Sequence, residues 1–266
     1  MNRRLMLASI LVGLIIVGMI AGFFTGSIQN ALSAPMAQMM GGAANTAPKA
    51  VVPAAPQPKQ PAAVAPAPVM NTLAQDTFKR QNQQLWGIAS DGRAWQGDAN
   101  KANAFSIANG AGQIANTQGT LNALLGLPGT NMEVMMSGSL NQFNKGQVNL
   151  GAVLRWTDNQ DWYKVLIDGT HITLLKRVNG ATTTLATKPF QAQGGTMYSL
   201  RFRAIGAMLF AHVWLVGSPE PQTWMINVTD PTLTTGQAGV RVLMQDMSVA
   251  NITAFSVLPA TLGNTA

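Results

Sequence analysis

The chain has 266 residues, a formal net charge of +7 and no cysteine, which excludes a disulfide scaffold, a thiolate zinc site and a cysteine nucleophile. All 10 acidic residues and 13 of the 17 basic ones lie between positions 71 and 258, so that segment has a net charge of only +3. No run of lysine and arginine is interleaved with aromatic residues, and nucleic acid is therefore not an expected partner.

The first element predicted along the chain is a membrane-spanning helix. Residues 5–24 are all apolar or small, and at 1.5 Å per residue they cover the roughly 30 Å hydrocarbon layer of a bilayer. Arg3 and Arg4 precede them and favour a cytoplasmic N-terminus. We therefore expect residues 1–33 to be a signal-anchor in the cell membrane, single-pass, with the C-terminal domain extracytoplasmic. The alternative is a cleaved signal peptide, which gives a secreted protein.

The next segment, residues 34–70, is predicted to be a disordered linker. It holds 12 alanines, 8 prolines and no aromatic residue. Such a composition cannot bury a core, and recurrent proline favours an extended polyproline II chain. We expect this proline-rich linker to carry one folded domain, residues 71–258, followed by a short C-terminal tail, residues 259–266.

The folded domain is predicted to be all-β. From Phe105 onward, short runs of alternating apolar and polar residues are separated by turn signals, which is typical of half-buried antiparallel strands. Asn109-Gly110, Asp168-Gly169 and Asn179-Gly180 are dipeptides that accept the positive φ of type I′ hairpin turns. Strands are expected at 105–108, 111–114, 132–140, 148–156, 162–167, 171–177, 181–186, 198–204, 208–216, 239–244 and 250–258. This many strands without a helix predict a two-sheet antiparallel β-sandwich, or jelly roll.

Several short motifs then resemble a known superfamily. They are Asp76–Phe78, Trp86–Gly92 with Trp95, Phe105–Gly110, Gly151–Asp158 leading to Trp162 and Tyr163, and Ala254–Val257. Together they resemble the concanavalin A-like lectin/glucanase superfamily, and most of all its laminin-G-like extracellular modules. The resemblance implies a jelly roll over nearly all of residues 74–258. It leaves the function open, because that fold hosts lectins, hydrolases, lyases and adhesion modules.

No catalytic motif is found in the domain. Glycosidases need two carboxyl groups that flank the scissile bond, whereas the two glutamates, Glu133 and Glu220, lie far apart in sequence. The E-x-D-x-x-E motif that catalytic members of the superfamily carry is missing. His171 and His212 stand inside predicted strands, without a G-x-S-x-G elbow. We therefore expect a non-catalytic protein, with a polysaccharide-active enzyme as the more remote alternative.

A metal site is considered at one loop. Asp158, Asn159 and Asp161 offer three oxygen ligands, and calcium takes six to eight. The resemblance adds that laminin-G-like modules often hold calcium in such a place, which makes Asp158 and Asp161 candidate calcium ligands. The alternative is a polar turn capped by aspartates, and no other cofactor is expected.

A ligand-binding surface is predicted from the alternation of side chains along the strands. The candidates form one sheet face with Arg155, Arg203, His212 and Trp214, next to a rim loop with Asp158, Asn159, Asp161, Trp162 and Tyr163. Aromatic rings stack on the apolar faces of sugars, and planar polar groups form paired hydrogen bonds to hydroxyls. The alternative is that the tryptophans are core residues, as we expect for Trp86 and Trp95.

These observations predict a membrane-anchored, extracytoplasmic, non-catalytic module that binds a glycan or a cell-surface protein. The alternative is a structural or assembly protein that uses the sandwich for protein–protein contacts. The low content of charged residues, 10%, suits a buried interface as well as it suits a core.

Overall fold

The computed structural model describes residues 71–261, so the predicted anchor, the linker and most of the C-terminal tail lie outside the described residues. The described residues are folded almost entirely as β-structure, with one 3₁₀ turn at Asn144–Gly146. Within this part of the chain, no helix is long and apolar enough to cross a membrane.

Sixteen strands form two antiparallel sheets. In chain order they are β1 (Ala74–Asp76), β2 (Gln83–Gln84), β3 (Gln96–Gly97), β4 (Phe105–Ala108), β5 (Ala111–Ile114), β6 (Gly119–Gly129), β7 (Met132–Leu140), β8 (Leu150–Trp156), β9 (Trp162–Ile167), β10 (His171–Val178), β11 (Ala181–Pro189), β12 (Tyr198–Ile205), β13 (Met208–Leu215), β14 (Ile226–Thr229), β15 (Gly236–Met244) and β16 (Ala250–Pro259). The nine-stranded sheet has the order β14-β13-β12-β7-β16-β5-β4-β2, with β1 also paired to β16. The seven-stranded sheet has the order β11-β10-β9-β8-β15-β6-β3.

The hydrophobic core lies between the two sheets, and side-chain alternation decides which residues enter it. On β12, Tyr198, Leu200 and Phe202 are core residues, whereas Ser199, Arg201 and Arg203 belong to the opposite face. The neighbouring β13 alternates in the same way, and both assignments agree with the sequence pattern. The prediction of an all-β, two-sheet antiparallel sandwich is confirmed.

An aromatic cluster fills one region of this core. Trp86 and Trp95 are fully enclosed, as expected from the sequence, and their ring centroids lie 4.7 Å apart in an edge-on arrangement. Phe78 and Phe105 pack edge-on against Trp86 at 5.0 Å. Gly112 is required beside them, because a Cβ atom there would lie 2.5 Å from the Phe78 ring.

The hairpin turns divide into two kinds. Asn109-Gly110 and Asn179-Gly180 have positive φ at both residues, as type I′ turns require. Asp168-Gly169 was expected to be the same turn, but only Gly169 has a positive φ, and Thr170 lengthens the connection. The reason is local: the Asp168 carboxylate accepts the backbone N–H groups of Thr170 and His171, both at 2.8 Å, and this fixes a different turn.

One long strand is not predicted from the sequence. Strand β6 spans eleven residues and pairs with β15 along its whole length. It contains three glycines and Pro128, a composition that predicts turns rather than a strand. Its partner β15 accordingly begins at Gly236, three residues before the predicted start.

Candidate ligand-binding site

The four residues predicted to share one sheet face, Arg155, Arg203, His212 and Trp214, do not do so, and that part of the prediction is wrong. Arg155 and Trp162 belong to β8 and β9 of the seven-stranded sheet, whereas Arg203 and His212 belong to β12 and β13 of the nine-stranded sheet. The structure divides the nine into an interior pair (Arg155, Tyr163), a covered face (Arg203, His212, Trp214) and a rim (Asp158, Asn159, Asp161, Trp162).

Arg155 is a buried residue that links separate loops, and it does not lie on the surface. Its backbone has a φ of 52°, which interrupts the alternation of β8, and its side chain is only 1% exposed. The guanidinium donates to the backbone carbonyls of Leu233 and Gly206, both at 2.6 Å, and of Thr130 at 3.1 Å. Arg155 thereby joins three separate connections, and these hydrogen bonds leave no open side of its guanidinium group for a ligand.

Tyr163 is the second interior residue. Its hydroxyl donates to the Asp230 carboxylate at 2.5 Å and accepts the Leu233 N–H at 3.1 Å. Burial, together with the hydrogen bond to Asp230, raises the pKa of Tyr163 to about 12. Burial by itself would raise the pKa of Asp230, but hydrogen bonds from Lys176, Tyr163 and Thr232 hold that pKa well below its usual range. These groups are structural, because all of their polar atoms face one another.

The outer face of β12 and β13, in the nine-stranded sheet, is covered by the chain itself. Residues 216–225 connect β13 to β14, and Trp224 from this connection stacks on His212 with the ring centroids 4.3 Å apart. The Arg203 guanidinium lies 5.0 Å from the Trp224 ring, and His212 shares a 2.8 Å hydrogen bond with Glu220. Arg203, His212 and Trp214 are therefore buried beneath their own loop.

Beneath this loop the fold brings together two glutamates that the sequence keeps apart. Arg201 lies 2.7 Å from Glu220 and 3.4 Å from Glu133, and Arg203 is also paired with Glu133. Burial lowers the pKa of His212, against the opposing effect of its hydrogen bond to Glu220. Both carboxylates are thus held by guanidinium groups, which is the arrangement of a packed ionic network.

At the rim, the two aspartates act as turn caps. The Asp158 carboxylate accepts the N–H groups of Gln160 at 2.6 Å and of Asp161 at 3.1 Å, and Asp161 accepts the Asn179 N–H at 2.9 Å. Among the described residues, no group of three or more acidic, histidine or cysteine side chains is placed to hold a metal ion. This donor set fits the capped-turn alternative better than a calcium site.

Trp162 holds the centre of a polar cluster next to these caps. The Arg241 guanidinium, from β15, lies 4.6 Å from the centre of the Trp162 ring. Arg241 also donates to the side-chain carbonyl of Asn122, whose amide in turn donates to the Asn159 side chain at 3.1 Å. Trp162 itself is buried and donates to the Asn159 backbone carbonyl at 3.3 Å. Its ring therefore orients Arg241 rather than offering an open stacking surface.

Two further cations share this outer face of the seven-stranded sheet. Arg177 lies directly opposite Trp162 in the β9–β10 register, and its Nη1 donates to Thr182 at 3.0 Å. Lys164 donates to the Asn149 side chain at 2.6 Å, and burial lowers its pKa well below the ordinary value. We call Trp162, Lys164, Arg177 and Arg241 the basic strip.

Sequence reasoning found only Trp162 of the basic strip. Burial, with the nearby charge of Arg177, lowers the pKa of Arg241 to about 10, so its guanidinium remains charged at neutral pH. Lys164 and Arg241 stand alone among apolar residues in Tyr163–Ile167 and Gly239–Met244. A single charged residue inside an apolar strand is a signal that could have identified them, because lysine and arginine are rarely buried without a partner.

A concavity lies at the end of β9 opposite to Trp162. Its volume is about 420 Å³, and it is lined by Asn141, Gln142, Phe143, Lys145, Asp168, Gly169, Thr170, Ala192 and Gly194. The Asp168 carboxylate is already used to form the turn, and Phe143 is buried.

Comparison with known proteins identifies the fold. No protein-family model matches the chain, and no curated protein matches it. The carbohydrate-binding module CBM66 from Bacillus subtilis is similar in structure, with a TM-score of 0.51 at 16% identity over 62% of this chain and 94% of that module. The GH43 protein BlXynB from Bacillus licheniformis gives a TM-score of 0.53 at 12% identity over 70% of this chain and 39% of its own. The VIP36 exoplasmic/lumenal domain, in its Ca²⁺/Man2-bound form, gives a TM-score of 0.49 at 12% identity over 72% of this chain and 91% of that domain. The first two likenesses show a jelly-roll β-sandwich, and at these identities they show the fold alone.

Proposed function

We propose that the folded domain is a non-catalytic carbohydrate-binding module of the concanavalin A-like type, and that it recognises its glycan at the basic strip. The observation that carries the proposal is the convergence, at the rim of one sheet, of Arg177 and Arg241 with the amides of Asn122 and Asn159. The likeness to CBM66, which extends over nearly all of that module, supports it.

The guanidinium and amide groups at this site are suited to binding the hydroxyl groups of a sugar. Guanidinium groups present several N–H donors in one plane, and amides present a donor and an acceptor side by side. Asn159 is exposed and Arg177 is half-buried, so these two side chains form the part of the cluster nearest to solvent. Recognition would rest on hydrogen bonds to Arg177 and Asn159, with Trp162 and Asn122 fixing the orientation of the deeper Arg241.

The experiment is a glycan-array screen of the full chain in mild detergent, followed by titration of each ligand that binds. Arg177→Ala and Asn159→Ala should each weaken binding by about tenfold, which is the effect of losing a hydrogen bond to a charged or well-placed partner. Lys188→Ala is the matched control, because Lys188 is an exposed cation on the adjacent strand β11. If the array is blank, or if the control loses binding as much as Arg177→Ala, the proposal fails.

We also propose that residues 1–33 anchor the protein in the membrane, with the linker 34–70 presenting the module outside the cytoplasm. The apolar segment 5–24 and the arginines before it support this arrangement. The test is external protease treatment of intact cells that carry a C-terminal epitope tag. The epitope should be lost while a cytoplasmic marker survives, and an epitope that is protected until lysis would contradict the proposed orientation.

An enzymatic role is the second candidate, because Glu133 and Glu220 converge on Arg201 and because the fold is similar to 39% of the GH43 protein. Under our proposal, no reducing sugar is released from any polysaccharide that the array identifies. A release that disappears in Glu220→Gln, with the melting temperature unchanged, would favour the enzyme instead.

A further inference from the structure

We infer that the ligand of the basic strip is an anionic glycan, one whose sugars carry carboxylate or sulfate groups. This inference rests on the proposed function and narrows its ligand class. The three basic residues of the strip, Lys164, Arg177 and Arg241, lie on β9, β10 and β15 of the seven-stranded sheet.

The three cations have no acidic partner. None of them forms an ion pair within residues 71–261, and the remainder of the chain contains no acidic side chain. Asp98 is the one carboxylate whose charge acts on Arg241, and it accepts the Asn122 N–H at 2.8 Å. The ion pairs of the described residues lie elsewhere, joining Asp76 to Arg80, Asp91 to Arg93, Asp230 to Lys176, Glu133 to Arg201 and Arg203, and Glu220 to Arg201 and His212.

The partners that these cations do have are neutral oxygens. Lys164 donates to Asn149, and Arg241 donates to Asn122, so both side chains are oriented. The Arg241 guanidinium keeps its charge at neutral pH, whereas burial and the nearby Arg241 favour the neutral form of the Lys164 amine. Buried charges without a counter-charge are costly, and neighbouring like charges add to that cost. An anion placed between them would remove both penalties, which a neutral sugar would not do.

Arg177 supplies the contact for such an anion. Its Nη1 is taken by Thr182, whereas its Nε is buried and has no hydrogen-bond partner among the described residues. Because the Nε is closed to solvent, a carboxylate or a sulfate oxygen would meet the outer part of the guanidinium. The residue is half-buried, so its outer part reaches solvent.

The fold also leaves room for the long cationic side chains to lie across the sheet. Gly151 occupies the outer face of β8 beside Lys164, and a Cβ atom there would lie 2.4 Å from the Val165 carbonyl oxygen and 2.9 Å from the Lys164 Cε atom. A larger residue at position 151 would push Lys164 away from Asn149. Gly151 is therefore part of what keeps the strip in place.

The test compares ligands that differ only in charge. The full chain in mild detergent is titrated with polygalacturonate and with its fully methyl-esterified form, and with chondroitin sulfate and its desulfated form. We expect the charged member of at least one pair to bind about tenfold more tightly or better, and this preference to shrink as NaCl is raised from 50 to 500 mM. Arg177→Gln should abolish the preference, and Lys188→Gln should retain it.

The outcomes separate this inference from the proposed function. Equal binding of charged and uncharged members, or binding confined to neutral glycans, would overturn the anionic ligand and leave carbohydrate binding intact. Absence of binding to every glycan would overturn both.

Because Arg177 is half-buried, the melting temperature of Arg177→Gln is measured in parallel, and Arg177→Lys serves as a second variant. Arg177→Lys keeps the charge but loses the planar edge, so it should retain salt sensitivity with weaker binding.

Discussion

At the scale of single residues, buried charges serve structural roles at one end of the sandwich. Arg155 and Tyr163 both reach the segment around Leu233, the first through its carbonyl and the second through its N–H group. Because each buried polar atom here has a partner, removing one side chain leaves the others unsatisfied, and such losses cost more than the original bond contributed.

Arg155→Met is expected to reduce the free energy of unfolding by about 3 kcal/mol, because the carbonyls of Thr130, Gly206 and Leu233 lose their donor. Urea denaturation measures the change. Arg93→Met is the control, since Arg93 is exposed and pairs only with its neighbour Asp91. Equal stability of the two variants would show that the buried guanidinium does not tie the loops.

The ionisation of Asp230 makes the free energy of unfolding depend on pH in the acid range. Hydrogen bonds hold its pKa in the folded state below the unfolded value of about 3.9. Its contribution is therefore fully present above that value and is lost as the pH falls through the lower, folded-state pKa. Urea midpoints measured from pH 5 to pH 2 should fall less steeply in Asp230→Asn than in the unaltered protein. Parallel slopes would contradict this role of Asp230.

At the scale of elements, connections and strand edges decide which faces are open. The 216–225 connection covers the outer face of β12 and β13 through Trp224. On the other sheet, β11 is an edge strand of nine residues, and most of its side chains are exposed. Covering loops close potential binding faces, and free edges invite pairing with another chain.

Trp224→Ala should open the covered face. Burial is the main cause of the lowered pKa of His212, so this substitution should raise that pKa towards 6.5. Titration of the His212 ring by NMR measures the shift, and Gln222→Ala, at an exposed position of the same connection, is the control. An unchanged His212 titration in Trp224→Ala would mean that the loop does not shield the histidine.

At the scale of the whole molecule, the question is whether the sandwich acts alone or assembles. The exposed edge strand β11 ends with Lys188 and Pro189, and a lysine and a proline on an edge both oppose pairing with a second copy. We expect the full chain in detergent to be monomeric by light scattering over a wide concentration range. A dimer that disappears in Thr184→Pro would contradict this and favour the assembly alternative.

The sequence by itself determined the class of the fold, the position of most strands and which side chains of a strand share a face. Alternation is a local property, because each side chain's face follows from its neighbours two residues away. This is why β7 was predicted to the residue at Met132–Leu140, and why both faces of β12 were assigned correctly. The glycine-rich β6 was missed because its strand conformation comes from pairing with β15 rather than from its own residues.

Only the tertiary structure decided which residues meet. Alternation states that a side chain faces in or out, but it does not state which sheet the strand joins or what covers that sheet. The predicted binding face therefore separated into three places, and Arg155 turned inward at a residue whose φ of 52° breaks the pattern. The basic strip and the pairing of Glu133 and Glu220 with Arg201 depend on contacts between residues distant in sequence. Such contacts are set by long-range strand pairing, which local periodicity does not encode.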